Sequence, residues 1–199
     1  MYKRQSEDAT FPLGIGDKRP RMQRLYTRNH AKQLTQSPLV TKIFVENLDV
    51  YPAKNPCWSK LRPLPLGVLP GSITDIVTSV DFGEANRIHK CFCCHRVRSG
   101  KAQWSERAKV SKRCAKDWVR FVDSFDELGN SEFIEALSCY NFTICVHGGG
   151  IDPSPRAWEA IMRGSIPIIR ESPVAEAYRV LPVVIIPTFD EVDAISLEK

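Results

Sequence analysis

The stretch HGGGIDPSPRAWEAIMRGSIPII, residues 147–169, decides the fold of this chain. Its pattern predicts a buried strand end, a glycine turn, a short helix and a second buried strand. The three glycines at 148–150 let the backbone adopt positive φ and approach a ligand closely. Asp152 or Ser154 can cap the helix, and a proline suits its first turn. Because unpaired N–H groups and the positive end of the helix dipole meet there, the stretch predicts a phosphate-binding turn of an α/β protein.

Two charged residues of the predicted helix extend this hypothesis. Arg156 falls in the first turn, where its guanidinium can add a forked donor for a phosphate. Glu159, one turn further along, is placed to accept hydrogen bonds from sugar hydroxyls. The alternative is an ion pair between Arg156 and Glu159 at the helix surface, worth about 0.2–0.5 kcal/mol. The spacing leaves both interpretations open.

From His89 onward the chain alternates regularly between strands and helices. Apolar runs predict strands at 42–48, 91–97, 119–122, 142–146, 166–169 and 182–186, and helices at 104–118, 131–140, 155–163 and 174–179. This alternation predicts an α/β fold, a Rossmann-like parallel sheet with helices on both faces and right-handed crossovers. Ligands of such sheets bind beyond the carboxyl ends of the strands. Arg107 can therefore approach the same ligand as Arg156, and a plain surface arginine is the equal alternative.

Apolar spacing also predicts which helix faces are buried. Trp158, Ile161 and Met162 are spaced i, i+3, i+4 and are expected to face the core. Gly164 is expected to end that helix in the left-handed conformation. The inner face of the 104–118 helix is predicted from Trp104, Ala108, Ala115 and Trp118.

Length and composition limit the number of domains. With 199 residues, 43% of them hydrophobic, the chain can bury one core and part of a second. Residues 1–40 are basic and polar with little periodicity, and we expect either poor order there or a remnant of missing structure. The proline-rich residues 52–71 suit an extended crossing. We therefore predict an incomplete N-terminal domain with this crossing at 1–86, and a Rossmann-like domain at 87–199.

The charge is unevenly spread. Residues 87–120 hold eleven Lys and Arg against two acids, a local +9, and residues 171–199 hold two bases against six acids, a local −4. A basic stretch suits nucleic acid, acidic glycans or a nucleoside diphosphate, and a solvated helix face is the plainer explanation. No nucleic-acid-binding motif is present. No apolar run reaches about 18 residues, which predicts no membrane span, and MYKRQSEDAT at the start lacks a signal peptide's apolar segment.

The seven cysteines are odd in number, so at least one stays unpaired within the chain. Cys91, Cys93 and Cys94 precede His95 in a predicted strand, where Cys93 and Cys94 must point to opposite faces. Zinc sites usually need two knuckles, and no second knuckle follows. Buried strand cysteines are the favoured interpretation, and no metal site is predicted.

The central stretch resembles the donor-binding domain of the exostosin-like glycosyltransferases, a family with the two-domain GT-B fold. The family pattern runs G-x-G-x-D-x-x-R-x-W-E-A-L-x-x-G-x-I-P-(I/V). It is matched by Gly148, Gly150, Asp152, Arg156, Trp158, Glu159, Ala160, Gly164, Ile166, Pro167 and Ile168. One extra residue separates Asp152 from Arg156, and Ile161 stands where Leu is usual. Weaker similarities lie at WSERAKV (104–110), at Asn47 with the 65–67 turn, and at the 181–186 strand.

The resemblance implies a glycosyltransferase that takes a sugar from a nucleotide-sugar donor, this chain being the C-terminal half of the GT-B fold. The acceptor is a glycan, a protein or a small molecule. The implied donor-binding residues are Gly148, Gly149, Gly150, Asp152, Arg156, Glu159 and Arg107. The catalytic base usually comes from the first domain and is not identified in this chain. The resemblance implies no cofactor and no tightly held metal, and it does not fix the compartment.

Two further interpretations stay open. A truncated domain can bind a nucleotide or a partner without turnover. The string His147–Gly150 also resembles the oxyanion-hole motif of some esterases. Those enzymes need a later G-x-S-x-G elbow, which does not follow here.

Overall fold

The computed structural model describes residues 10–13, 28–68, 87–97, 105–148 and 150–190. Its strands are β1 (Ile43–Val45), β2 (Leu61–Pro63), β3 (Ile88–Cys94), β4 (Val122–Phe125), β5 (Tyr140–Ile144), β6 (Ile166–Arg170) and β7 (Val184–Ile186). Its α-helices are α1 (Arg28–Gln36), α2 (Ser105–Lys116), α3 (Asn130–Cys139) and α4 (Pro155–Met162). Short 3-10 helices lie at Pro52–Lys54, Pro56–Trp58 and Ala175–Tyr178.

The strands form two parallel sheets. β1 pairs with β2, and the other five strands pair in the order β4-β3-β5-β6-β7. The predicted α/β class, with a parallel sheet flanked by helices, is therefore confirmed. Its strand order places the carboxyl ends of β3, β5 and β6 side by side, the edge at which ligands of parallel sheets bind.

The chain divides into two compact units. The first holds Met1–Leu66, Gly148–Asp152 and Ser172–Tyr178, and the second holds Gly67–His147, Pro153–Glu171 and Arg179–Lys199. The two-stranded sheet belongs to the first unit and the five-stranded sheet to the second. The boundary between domains at residues 86 and 87 stays a prediction.

The alternating side chains of β3 build a core on each face of the five-stranded sheet. Cys91 and Cys93 pack in a cluster with Val110 and Cys114 of α2. Phe92 and Cys94 pack on the other face with residues of α3 and α4, namely Phe133, Ile134, Leu137 and Ala160. The prediction that Cys93 and Cys94 are buried on opposite faces is confirmed, because strand side chains alternate. All seven cysteines are free thiols.

The predicted strand bounds were displaced where polar residues enter the sheet. β4 begins three residues later than predicted and includes Asp123. Lys90 Nζ lies 2.7 Å from one carboxylate oxygen of Asp123, and the Tyr140 hydroxyl donates to the other at 3.1 Å. These partners, Lys90 on the neighbouring strand β3 and Tyr140 at the start of β5, let a carboxylate occupy β4 at the edge of the sheet. In contrast, β3 begins earlier than predicted, with the exposed residues Ile88 and His89.

The two predictions of the buried helix faces hold only in part: Met162 packs against the cluster around Phe92 and Trp118 is buried, but other predicted residues are not. In α2 the buried residues are Val110 and Cys114, whereas Ala108 and Ala115 are exposed; Trp118 is buried as predicted, and Trp104 lies outside the described residues. In α4 the best-buried apolar residues are Ala157 and Ala160, while Trp158, Ile161 and Met162 are half-buried. Small side chains let α4 lie close to the sheet, and the larger ones flank the contact.

The first unit also departs from the predictions. Within residues 1–40, where poor order was expected, Arg28–Gln36 form a helix. The proline-rich stretch is not simply extended, because Pro52 and Pro56 each open a 3-10 helix and β2 follows. Proline suits the first position of a helical turn because it has no N–H to leave unpaired. Residues 69–71 of that stretch lie outside the described residues.

Candidate functional site

The glycine turn is filled by a side chain of its own unit. Asn47 Oδ1 accepts hydrogen bonds from the amides of Ile151 and Asp152, at 2.9 and 3.1 Å. The amide of Gly148 donates to the Asp152 carbonyl at 3.1 Å. Gly149 lies outside the described residues. The expectation that this turn presents unpaired N–H groups is therefore wrong for these three amides.

The same contact explains one of the glycines. A Cβ atom on Gly150 would lie 2.0 Å from Asn47 Oδ1, so no larger residue fits beside that amide. Asp152 is buried, and its Oδ2 accepts from the amide of Leu66 at 3.4 Å. Asp152 is not the cap of α4, since the N-cap position is Ser154, with φ 71 and no side-chain cap bond. Asn47 and Leu66, two of the residues that the resemblance singled out, thus contact this loop.

Arg156 lies where the sequence predicted it, in the first turn of α4. Its guanidinium carbon stacks 4.0 Å from the ring centroid of Phe133. Burial raises the pKa of Cys94 and of Cys145, and the Arg156 charge opposes both shifts. The charge is therefore close to the carboxyl ends of β3 and β5. Within the described part of the chain, the buried Nη1 of Arg156 has no hydrogen-bond partner.

Glu159 is more enclosed than the sequence indicated. Only 6% of the residue is exposed, as for Arg163, the C-cap residue that follows α4. Its charge contributes to raising the pKa of Cys145, after burial, which places the carboxylate near the end of β5. Glu159 is therefore not at the helix surface, where the alternative interpretation placed its ion pair with Arg156.

Four residues at the carboxyl edge of the sheet form what we name the His147 cluster: Glu106, Arg107, His147 and Arg170. Glu106 Oε1 accepts from the backbone N–H of His147 at 3.1 Å, and Arg107 Nε donates to the His147 carbonyl at 2.9 Å. Arg170 Nη2 lies 2.9 Å from His147 Nδ1, and Arg170 Nε also donates to Glu106. Arg107, predicted to bind the donor, is thus partly committed to backbone carbonyls.

The electrostatics of the cluster keep His147 neutral. Burial lowers the pKa of His147 to about 4; Glu106 opposes this shift, and the Arg170 and Arg107 charges add to it. Burial acts to raise the pKa of Glu106, but the Arg170 charge and the hydrogen bonds from Arg170 and from the His147 backbone N–H oppose it, and that pKa lies below its usual value. Glu106 and Arg170 went unrecognised in the sequence because their partners are 41 and 23 residues away.

A second buried histidine has a structural role. His95 Nε2 lies 3.1 Å from the Arg107 carbonyl and 2.9 Å from Ser111 Oγ, and its pKa is lowered by burial to about 4. Since a carbonyl only accepts, Nε2 of His95 carries the proton and cannot act as a base toward Ser111. Among the described residues, no group of three or more His, Cys, Asp or Glu is arranged to hold a metal ion.

Comparison with known proteins finds no family model and no curated protein that match this chain. In the described parts of the chain, the structure contains no helix with the length and apolar character needed to cross a bilayer.

Proposed function

We propose that this chain binds a nucleoside-diphosphate sugar as the donor-binding part of a glycosyltransferase. The sugar passes to a glycan, a protein or a small-molecule acceptor. The observation that carries the proposal is Arg156, a half-buried cation at the carboxyl edge of a parallel sheet and in the first turn of a helix. Its buried Nη1 has no acceptor among the described residues.

An anionic ligand would supply the hydrogen-bond acceptor that Arg156 Nη1 lacks among the described residues. A buried donor on a charged group is costly to leave unpaired, so an anion that supplies the acceptor gains binding energy there. Guanidinium groups suit phosphate because two parallel N–H donors match two oxygens. The Phe133 ring, 4.0 Å from the guanidinium carbon, holds the donor plane in place.

The chemistry needs such a donor. In sugar transfer the bond between the anomeric carbon and the diphosphate breaks, and negative charge grows on the leaving diphosphate. Fixed donors stabilise that charge without having to reorganise. Because Asn47 occupies two amides of the glycine turn, we assign the larger share to Arg156. We propose two additional contacts. Arg107, which already donates to backbone carbonyls, contacts a phosphate, and the buried Glu159 contacts the ribose.

Nucleotide or partner binding without turnover is the second candidate. The filled glycine turn favours it, because amides that already donate to protein oxygens are not available to a leaving group. The esterase interpretation meets the same difficulty, since Gly148 N–H donates to the Asp152 carbonyl. Release of UDP or GDP from a panel of nucleotide sugars, with and without acceptors, separates transfer from plain binding.

Calorimetry with UDP, GDP and pyrophosphate tests the binding itself. We expect Arg156→Gln to weaken nucleotide binding at least tenfold, because a hydrogen bond to a charged group contributes about 1.5–3 kcal/mol. Arg120→Gln is the matched control, since Arg120 also lies over a phenylalanine ring, at 6.0 Å from Phe121, but just before β4, at the opposite edge. Equal affinities for the two variants, or no binding by the unaltered chain, would refute the proposal.

A further inference from the structure

The His147 cluster satisfies every polar atom of His147 except one. The backbone N–H donates to Glu106, the carbonyl accepts from Arg107, and the ring Nδ1 lies 2.9 Å from Arg170 Nη2. A guanidinium nitrogen only donates, so Nδ1 is the acceptor and the ring proton is on Nε2. His147 is 3% exposed, and in the described part of the chain Nε2 has no hydrogen-bond partner.

Such an atom is unusual in a network that is otherwise complete. Buried polar groups are nearly always hydrogen-bonded, and an unsatisfied donor is destabilising. Arg170 of β6 contacts the ring, while Glu106 and Arg107 of α2 hold the backbone of the same residue, so the imidazole is kept in one orientation. This rigidity keeps Nε2–H fixed at the carboxyl edge of the sheet.

Charge indicates what Nε2–H binds. Glu106 brings one negative charge to the cluster, and Arg107 and Arg170 bring two positive charges. The imidazole itself stays neutral near pH 7, because burial lowers its pKa to about 4. A neutral donor within a net positive cluster favours an anionic oxygen over a cation or an apolar group.

We propose that Nε2–H of His147 donates a hydrogen bond to a phosphate oxygen of the bound nucleotide. The inference rests on the proposed function, and it adds a binding residue that the motif did not include. His147 binds the ligand through its side chain, while Arg170 fixes the tautomer and Glu106 holds the backbone N–H, so both act as positioning residues.

Two substitutions of His147 separate the donor from the rest of the ring. In His147→Asn the amide oxygen can replace Nδ1 as the acceptor from Arg170, and the Nε2 donor is lost. In His147→Gln the amide nitrogen reaches the former position of Nε2. We expect Asn to weaken UDP and pyrophosphate binding five- to twentyfold in calorimetry, and Gln to restore most of it. His89→Asn is the matched control, because His89 is exposed at the start of β3.

Nitrogen-15 NMR of the ring N–H provides a readout that a merely structural role leaves unchanged. The Nε2–H resonance, assigned by its absence in His147→Asn, should shift on addition of UDP.

The combined results distinguish the inference from the proposed function. Suppose that UDP binds and that Arg156→Gln weakens this binding. If the His147 resonance and the affinity of His147→Asn then stay unchanged, the inference is overturned and the proposed function stands. If His147→Asn weakens binding and Arg156→Gln does not, the inference stands and the role of Arg156 falls. Absence of any UDP or pyrophosphate binding overturns both.

Discussion

Asn47 determines the local structure of the glycine turn. Its backbone has φ 51, in the left-handed region that asparagine tolerates better than most residues. Its buried amide oxygen accepts from two consecutive backbone amides 104 and 105 residues away. A glycine is required at 150 because this side chain occupies the space beside it, whether or not a ligand also approaches.

Gly150→Ala should therefore lower the free energy of unfolding by about 1–3 kcal/mol, as overpacked positions do. In an Asn47→Gly background the obstructing side chain is gone, and the same substitution should cost much less, a non-additivity typical of residues in contact. Urea denaturation of the two single variants and the double variant measures this. Gly67→Ala serves as the control: its Cβ meets nothing within 4 Å, so its cost comes from the φ of +74 alone and should be the same in both backgrounds. Equal costs of Gly150→Ala in the two backgrounds would contradict the explanation.

For single residues, the sequence predicted local conformation and chemical role, but not which distant residues they contact. The glycine turn, the place of Arg156 in the first turn of α4 and the left-handed Gly164, with φ 71, could all be inferred from local pattern. The Asn47 contact and the His147 cluster could not, because they join residues far apart in the chain. Nothing in the spacing of Glu106 or Arg170 distinguishes a buried network from surface charges.

Helix α4 shows why apolar spacing misjudged the buried faces. A hydrophobic stripe identifies the side of a helix with the most apolar area, yet Ala157 and Ala160 are fully buried while larger neighbours are half-exposed. Contact with a sheet selects small residues at the point of closest approach. The end of α4 was predictable, because Gly164 N–H donates to Ile161 and Ser165 N–H to Ala160, at 3.0 and 2.9 Å, in a Schellman motif.

The substitution Ala→Leu on two helices tests these faces. Ala160→Leu should lower the free energy of unfolding by about 1–3 kcal/mol, because Ala160 packs in the cluster around Phe92 and has no room for a larger side chain. Ala115→Leu, on the exposed face of α2, should change it by less than about 0.5 kcal/mol. Chemical denaturation of both variants gives the comparison. If Ala115→Leu lowered the free energy of unfolding more than Ala160→Leu, the helix face predicted from the sequence would be the buried one.

For the whole molecule, the five-stranded sheet was predictable because alternating strands and helices admit few arrangements. Strand β4 shows where the prediction lost precision, since its polar residues lack an apolar signal. The two-stranded sheet of the first unit was only half anticipated: a strand near Lys42 was predicted, but its partner β2 lies within a proline-rich stretch. Its parallel pairing with β1 depends on a connection that local pattern does not encode.

The two buried histidines should make the stability of the whole molecule depend on pH between about 7 and 4. His95 and His147 both have pKa values lowered by burial to about 4, against an ordinary value of 6.5. The unfolded chain therefore binds more protons than the folded one in this window, so stability falls as the pH falls. Each histidine should contribute a loss of about 2 kcal/mol between pH 7 and pH 5. Urea denaturation at the two pH values measures the sum.

Single substitutions show how much each histidine contributes to the pH dependence of stability. His95→Gln and His147→Gln should each remove about half of the pH dependence, because glutamine does not titrate. His89→Gln, at an exposed position, should leave it unchanged. Below pH 4 the histidine contribution levels off, and Glu106, whose pKa lies below its usual value, continues the loss as it becomes protonated. A free energy of unfolding that is the same at pH 7 and pH 5 would mean that neither imidazole is held neutral by burial.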